Sequence, residues 1–409
     1  MNHIADPRDP ERILYRQSHL LWSGILLFMM RLGSRRQLRY ERQSDGFLQN
    51  LARLQENCAE EFVADPDTLA YYAERVPPAS VEKLLAALSG RLIRMKALDP
   101  FRLKGFFTVA IDGSQVCTFD REPWKGCPHR ELSNGSIQYF SYVLDAKLVT
   151  PTGMALTLAT EALTNEGNEQ FDKQDCELKA FPRLVAKLHA FFPRTPICLL
   201  LDSLYANQNV MRICEAHRWK YIITFKQGSM PERYTEAEAL ARLQPRNGLR
   251  LEDPKAERIQ QFAWTEALPI AEFTPSVLWC RDQNQKNEAT RFCWLTNFQV
   301  CPSNVEKLAN KGGRLRWKIE NEGFNVQKND GYEMEHPYSE HPNGFRLFYL
   351  LLLIAHYLTQ LILQGSLIDS LHQTFGSAKN FARRLAESMR NDPLPIDLAL
   401  PGQIRFKPP

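Results

Sequence analysis

The chain has 409 residues, 44% hydrophobic and 11% aromatic, ample for a buried core and for two or three structural units. Lys and Arg number 51 against 47 Asp and Glu, a net charge of +4, so bulk basicity is excluded as a route to nucleic acid and only local clustering remains. Nine cysteines are scattered without a CxxC pair, several in apolar runs such as "TPICLLLD"; this argues against a disulfide scaffold and for reduced thiols in a cytoplasm.

Residues 1–100 read as helical. "LLWSGILLFMM" (20–30) has the length of a signal-peptide core, but Asp6, Asp9 and Glu11 precede it and "RLGSRR" stands where a small-residue cleavage site belongs, so a leader is not expected. The run "RLGSRRQLRYERQ" carries Arg31, Arg35, Arg36, Arg39 and Arg42. It reads either as a solvated helix face or as a phosphate-contacting patch that helps recognise DNA ends. "SVEKLLAALSGRLIRMKAL" has apolar residues at three- and four-residue spacing, with Ser80 as its cap.

From Phe106 the texture becomes β-rich: "FFTVAIDG", "IQYFSYVLDAKLV" and, after a "TPTG" turn, "MALTLATEAL". Cys127 and His129 lie in this region, too few to make a metal site by themselves. A helical pattern, "DKQDCELKAFPRLVAKLHAFFP", leads to the strand "ICLLLDS", the helix "NQNVMRICEAHR" and the strand "YIITFK". Three strands in a meander followed by β-α-β units predict an α/β fold, an RNase H-like mixed sheet flanked by helices. The core is assigned to 101–228 and 292–365. Residues 229–291, with strand-like pieces, read as an inserted β subdomain in which Trp264 and Trp279 are either core or a stacking surface. "FRLFYLLLLIAHYLTQLIL" (345–363) nearly spans a membrane in length but is interrupted by Arg346, His356, Thr359 and Gln360, so a buried helix and no membrane partner are expected. Residues 366–409 read as a C-terminal helix and an extended tail.

Candidate chemistry sits in three acids. Asp112 and Asp202 each close an apolar run, "FFTVAI" and "ICLLL", and are expected at strand ends facing a crevice, since an acid buried there unpaired is costly. Each alone also reads as a turn aspartate. Glu320 lies in "RLRWKIENEGFNVQK". On a helical wheel Leu315, Ile319 and Val326 form the core stripe, Arg316, Glu320, Gly323 and Gln327 the adjacent one, and Trp317, Phe324 and Lys328 a third that offers stacking and positive charge. Glu322 falls on the apolar side, which implies a distortion near Gly323. The plainer reading of Arg316 and Glu320 is a surface i,i+4 ion pair. Three converging carboxylates repel one another unless divalent cations neutralise them, and oxygen-only ligands select Mg²⁺ or Mn²⁺. Two such ions about 4 Å apart suit in-line phosphodiester cleavage or transfer.

Together "AIDGS", "LLLDSLYAN" and "RWKIENEGFN", in that order and with a long gap before the third, resemble the DDE transposases of bacterial insertion sequences, specifically the insertion-sequence-four group, over residues 105 to 360. The resemblance implies that Asp112, Asp202 and Glu320 are catalytic and hold two Mg²⁺ or Mn²⁺ ions. It implies double-stranded DNA, element ends and target, as partner and substrate, a homodimer on DNA, and a bacterial, cytoplasmic, nucleoid-associated setting. That family often places a tyrosine seven residues before its glutamate, an arginine four before and a lysine seven after, on DNA phosphates. Here Arg316 matches, Gly313 and Gln327 occupy the other two positions, and Lys328 comes one residue late. Arg316, Trp317, Lys328, Arg35, Arg36 and Arg39 are therefore the expected DNA-binding residues. An RNase H-like nuclease without strand transfer and a catalytically inactive DNA-binding remnant are the alternatives. Asp175 and Glu177 have no sequence reason to join the site.

Overall fold

The computed structural model describes residues 1, 4–41, 44–55, 60, 62–165, 175–253, 257–283, 288–366, 375–392 and 404–406. Two long strands, Phe107–Phe119 (β1) and Ile137–Val149 (β3), form its centre. The first half of β1, Phe107–Ile111, is buried throughout, as an apolar run covered on both faces must be. The remaining strands are His129–Glu131 (β2), Ala155–Ala162 (β4), Ile197–Leu201 (β5), Lys220–Thr224 (β6), Gly248–Asp253 (β7), Arg258–Thr265 (β8), Ser276–Gln283 (β9) and Ala289–Thr296 (β10). They join in one mixed sheet, ordered β2-β3-β1-β5-β6-β10-β9-β8-β7, with β4 also paired to β3. β1, β5 and β6 run parallel, and β3 lies antiparallel to β1 and to β4. Helices flank the sheet, among them Gln208–Ala216 (α6), Pro231–Leu243 (α7), Val305–Asn310 (α8) and Asn325–Asn329 (α9), which makes the fold mixed α/β.

Two sequence expectations change. The segment 229–291 does not build a sheet of its own: β10 pairs antiparallel with β6, and β9, β8 and β7 follow it, so the core sheet simply continues. Which strand a new strand chooses as neighbour is a long-range decision that local patterning does not carry. The same segment also holds a helix, Pro231–Leu243, absent from the strand-only reading. Second, Asp112 does not end β1, which runs on to Phe119. What ends there is the pairing with β5, which covers Phe107–Ala110.

The N-terminal helices share the main core. Gln17–Met29 (α1), Pro66–Arg75 (α3) and Pro78–Arg94 (α4) pack against the long helix Pro342–Gln364 (α10), and most of their buried apolar residues belong to the same cluster as those of the sheet. Gly24 of α1 allows the closest approach, since a Cβ there would lie 2.6 Å from Leu351 Cδ1. α10 is the one described helix long and apolar enough to cross a membrane, yet 78% of its most apolar stretch is buried inside the fold. Gln360 on α10 accepts from the Ala155 N–H at 2.7 Å and donates to the Ala155 carbonyl at 3.2 Å, tying the helix to β4. A smaller cluster joins Asp45–Leu54 (α2) to the last helix, Ala378–Asn391, through Phe47, Leu51 and Met389. Of the expected extended tail, 393–403 and 407–409 lie outside the described residues, while Phe406 bridges to Gly365.

Candidate active site

β1 loses a neighbour at its middle. β5 stops after Leu201 while β3 accompanies β1 further, so a notch opens beside Asp112, Gly113 and Ser114. Asp202, the first residue past β5, stands on the opposite lip, where its Oδ1 accepts the Leu204 N–H at 2.9 Å and caps a short turn of helix, Ser203–Tyr205. The third wall comes from residues 313–329. The resulting cleft, about 470 Å³, is lined by Asp112, Gly113, Ser114, Asp202, Arg316, Trp317, Glu320, Phe324, Asn325 and Lys328. All three sequence-selected acids are thus brought to one cleft, with three of the six expected cationic or stacking residues beside them.

The helical wall is not a plain α-helix. Ile319–Phe324 forms a π-helix, the distortion that the misplaced Glu322 had implied. A π turn closes i→i+5 and takes up about one residue more than an α turn, and such turns gather at functional sites. Past it the register is advanced by one: Phe324 and Lys328 face the cleft with Glu320, whereas Gln327 is fully buried and meets His356 Nδ1 at 3.0 Å. A lysine one residue late is therefore brought back to the cleft. Gly323 allows the tight seating, because a Cβ there would press on the Lys147 stem at 3.1 Å. Glu322 turns away from the cleft, accepting from Lys318 Nζ at 2.9 Å and lying near Gly153.

Electrostatics set the acids apart. Burial pushes the Asp112 carboxyl up to about 6, opposed by the Arg316 guanidinium and reinforced by the charges of Glu177 and Asp202. Arg316 Nη1 donates to Asp112 Oδ2 at 3.3 Å, both side chains being largely buried, so the arginine's partner is Asp112 and not the i,i+4 glutamate. Its guanidinium lies 4.6 Å from the centroid of the Trp317 ring, and Trp317 itself is 51% exposed, unusual for so large an apolar surface. Lys328 Nζ pairs with Glu335 at 3.2 Å.

The donor chemistry, carboxylate oxygens with no nitrogen or sulfur ligand, fits Mg²⁺ or Mn²⁺. Among the described residues no group of three His, Cys, Asp or Glu side chains has the spacing to hold an ion as it stands. Cys127 and His129 add nothing to that chemistry. Burial pushes the Cys127 thiol up to about 12, and the sulfur donates to the Phe140 carbonyl.

The remaining candidates lie elsewhere. Arg35, Arg36 and Arg39 sit on a 3₁₀ segment, Arg35–Glu41, and none of them lines the cleft; Arg35 approaches the Phe348 ring, Arg36 is exposed and Arg39 pairs with Asp65 at 3.5 Å. Arg42 lies outside the described residues. Trp264 is buried and Trp279 packs partly against the main core, so both are core side chains.

One further acid, which sequence reasoning set aside, lies against Gly113 without lining the cleft. Glu177 opens the helix Glu177–Phe191 (α5) and accepts from Tyr142 Oη at 2.6 Å and from Tyr205 Oη at 3.0 Å. It packs against Gly113, where a Cβ would stand 2.5 Å from Oε1 of Glu177. No local signal marks it, since its partners are contributed by two other elements. Asp175 instead binds Arg183 and the Thr164 N–H.

No protein-family model matches the chain, and no curated protein matches it in sequence.

Proposed function

We propose that the chain is a DNA transposase of the DDE type, acting on double-stranded DNA as a dimer in a bacterial cytoplasm. The observation that carries this reading is the single cleft shared by Asp112, Asp202, Glu320, Arg316, Trp317 and Lys328. The strand order β4-β3-β1-β5-β6, with β3 alone reversed between β4 and the parallel trio, supports an RNase H-like core within the larger sheet.

Asp112, Asp202 and Glu320 would hold two divalent cations, which when bound supply activation of the attacking oxygen and neutralisation of charge on the leaving oxygen. The chain's other residues orient the substrate. Arg316 and Lys328 are positioned to hold phosphate oxygens, and Arg316 becomes available as Asp112 turns to another positive partner. Trp317 offers its exposed face to an unstacked base. In the first step water displaces the 3′ oxygen of an end phosphodiester, leaving a free 3′ hydroxyl. In the second that hydroxyl attacks a target phosphodiester and displaces its 3′ oxygen, so one bond forms for each that breaks and no covalent protein intermediate is needed.

The test is incubation of the full chain with linear DNA carrying the sequences that flank its gene, with Mg²⁺, and separation of the products. Nicked, cleaved and joined DNA are expected. Cleavage without joining would reduce the reading to a nuclease, and intact DNA would overturn it.

A further inference from the structure

A second cavity, about 480 Å³, shares no lining residue with the cleft and lies between the start of α4, one face of α10, α5 and the strands β3 and β4. Pro77, Val143, Phe345 and Leu350 give it apolar walls. Its charged residues are three cations, Arg183, Lys187 and Arg346, and two acids, Glu82 and Glu161. Lys187 is held by both acids and Arg183 by Glu161. Arg346 is left over: half-buried on α10, it makes no ion pair or hydrogen bond among the described residues. A second polar group there is also unmet. Thr160 lines the cavity and is only 8% exposed, yet its Oγ1 finds no hydrogen-bond partner. A buried hydroxyl without a partner is costly at a strand position that valine, of nearly the same shape, could fill, unless something from outside the chain supplies the missing bond.

We infer that this cavity is a binding site for a small organic monoanion, a carboxylate on an apolar body that also carries a hydroxyl. The charge follows from the lining, where three cations face two acids and one positive charge remains. That charge is Arg346, whose planar fork suits a carboxylate held by two parallel bonds. α4 begins at the same wall on Pro77 and Pro78 without a side-chain cap, so the positive end of its dipole adds to the attraction for an anion. The apolar walls take the body of the ligand, and Thr160 Oγ1 bonds its hydroxyl. A cavity of this size, largely apolar with a few convergent polar groups, is the usual form of a small-molecule site. The inference stands independently of the chemistry of the cleft.

The test is titration calorimetry of the full chain at two temperatures with two hydroxy acids, 4-hydroxyphenylacetate and 10-hydroxydecanoate. Phenylacetate and decanoate, which lack the hydroxyl, and acetate, which lacks the apolar body, are the comparisons. At least one hydroxy acid is expected to bind at millimolar or lower concentration, and more tightly than its parent acid. Arg346→Gln is expected to weaken that binding about tenfold through loss of the charge-assisted pair. Thr160→Val is expected to weaken it about threefold while leaving the parent acid unchanged. Neither exchange removes a side-chain hydrogen bond or ion pair made within the protein, so both variants should fold. Absence of heat from both hydroxy acids would overturn the inference, as would binding that Arg346→Gln leaves unchanged. Acetate binding as tightly would reduce the site to an anion contact at Arg346 and overturn it as well. Parent acids binding as tightly as the hydroxy acids would remove Thr160 from the site, and with it the ligand class inferred here.

Discussion

Asp112 and Asp145 are partners across the β1–β3 ladder, so they project from the same face of the same sheet, one strand apart. Their surroundings differ completely. Asp145 is sealed: its Oδ2 accepts from Lys147 Nζ at 2.7 Å and from Tyr349 Oη at 2.8 Å, and neither Asp145 nor Lys147 meets solvent. Asp112 meets one cation, Arg316, at 3.3 Å, beside two further acids and an open cleft. The same residue type on neighbouring strands is thus a sealed structural acid where a cation and a donor close over it, and an acid facing an open cleft where the next strand stops short. The π-helix rests on this contrast, for Lys147 supports Gly323 and Phe324 from beneath while Glu320 faces the cleft.

The comparison can be broken first at the open end. Asp112→Asn, Asp202→Asn and Glu320→Gln should each lower DNA cleavage by at least ~10⁴-fold, about 5.5 kcal/mol of barrier, with unchanged circular dichroism. Double variants should be little worse than single ones, because the three act as a unit. A folded single variant cleaving at near wild-type rate would remove that residue from the site. At the sealed end the loss should appear in stability. Lys147→Ala leaves Asp145 buried and uncompensated and should cost about 3–5 kcal/mol in urea unfolding, whereas Lys147→Met with Asp145→Leu should come close to wild type. Equal losses in both would show that packing, and not charge, dominates there.

Acidity sharpens the contrast further. Folded Asp112 keeps its proton to about pH 6, against an ordinary value of 3.8, so between these limits folding takes up a proton and stability falls as pH rises. With chelator present, wild type should lose up to about 3 kcal/mol relative to Asp112→Asn between pH 4 and 6, read from paired denaturant curves. Parallel curves would mean that the carboxyl is not strained. The smallest effect concerns Arg316. Arg316→Ala should reduce the slope of log K against log salt for end DNA by about one, and an unchanged slope would exclude a phosphate contact.

Much of this was legible in one dimension. "FFTVAIDGS" and "ICLLLDS" announce buried strands with acids where the apolar run stops, and the helical wheel put Glu320 next to the core face. The misfit of Glu322 correctly signalled a distortion. It did not reveal that an i→i+5 turn brings Lys328 to the cleft and Gln327 inside, because that depends on how the segment settles over Lys147. Glu177 was invisible for the same kind of reason: its two tyrosines are far from it in the chain and adjacent only once β3, α5 and the turn after β5 have packed. Lys147 hid inside a strand pattern whose alternation could not distinguish a solvated lysine from a sealed one.

The long apolar helix α10 imposes an order on the birth of the protein. α1, α3 and α4 are made first, yet the surface they bury is supplied by residues 342–364. At ribosomal speeds α1 waits on the order of 20–60 s for that partner, its apolar surface shielded only by whatever holds nascent chains. Closure of the core then depends on contacts between the two most distant parts of the main fold, a slow class of folding event. A truncated product ending before α10 would carry all three cleft acids and still be unable to close its core. Premature termination of translation should therefore yield aggregates cleared by proteolysis, and not a shortened folded chain.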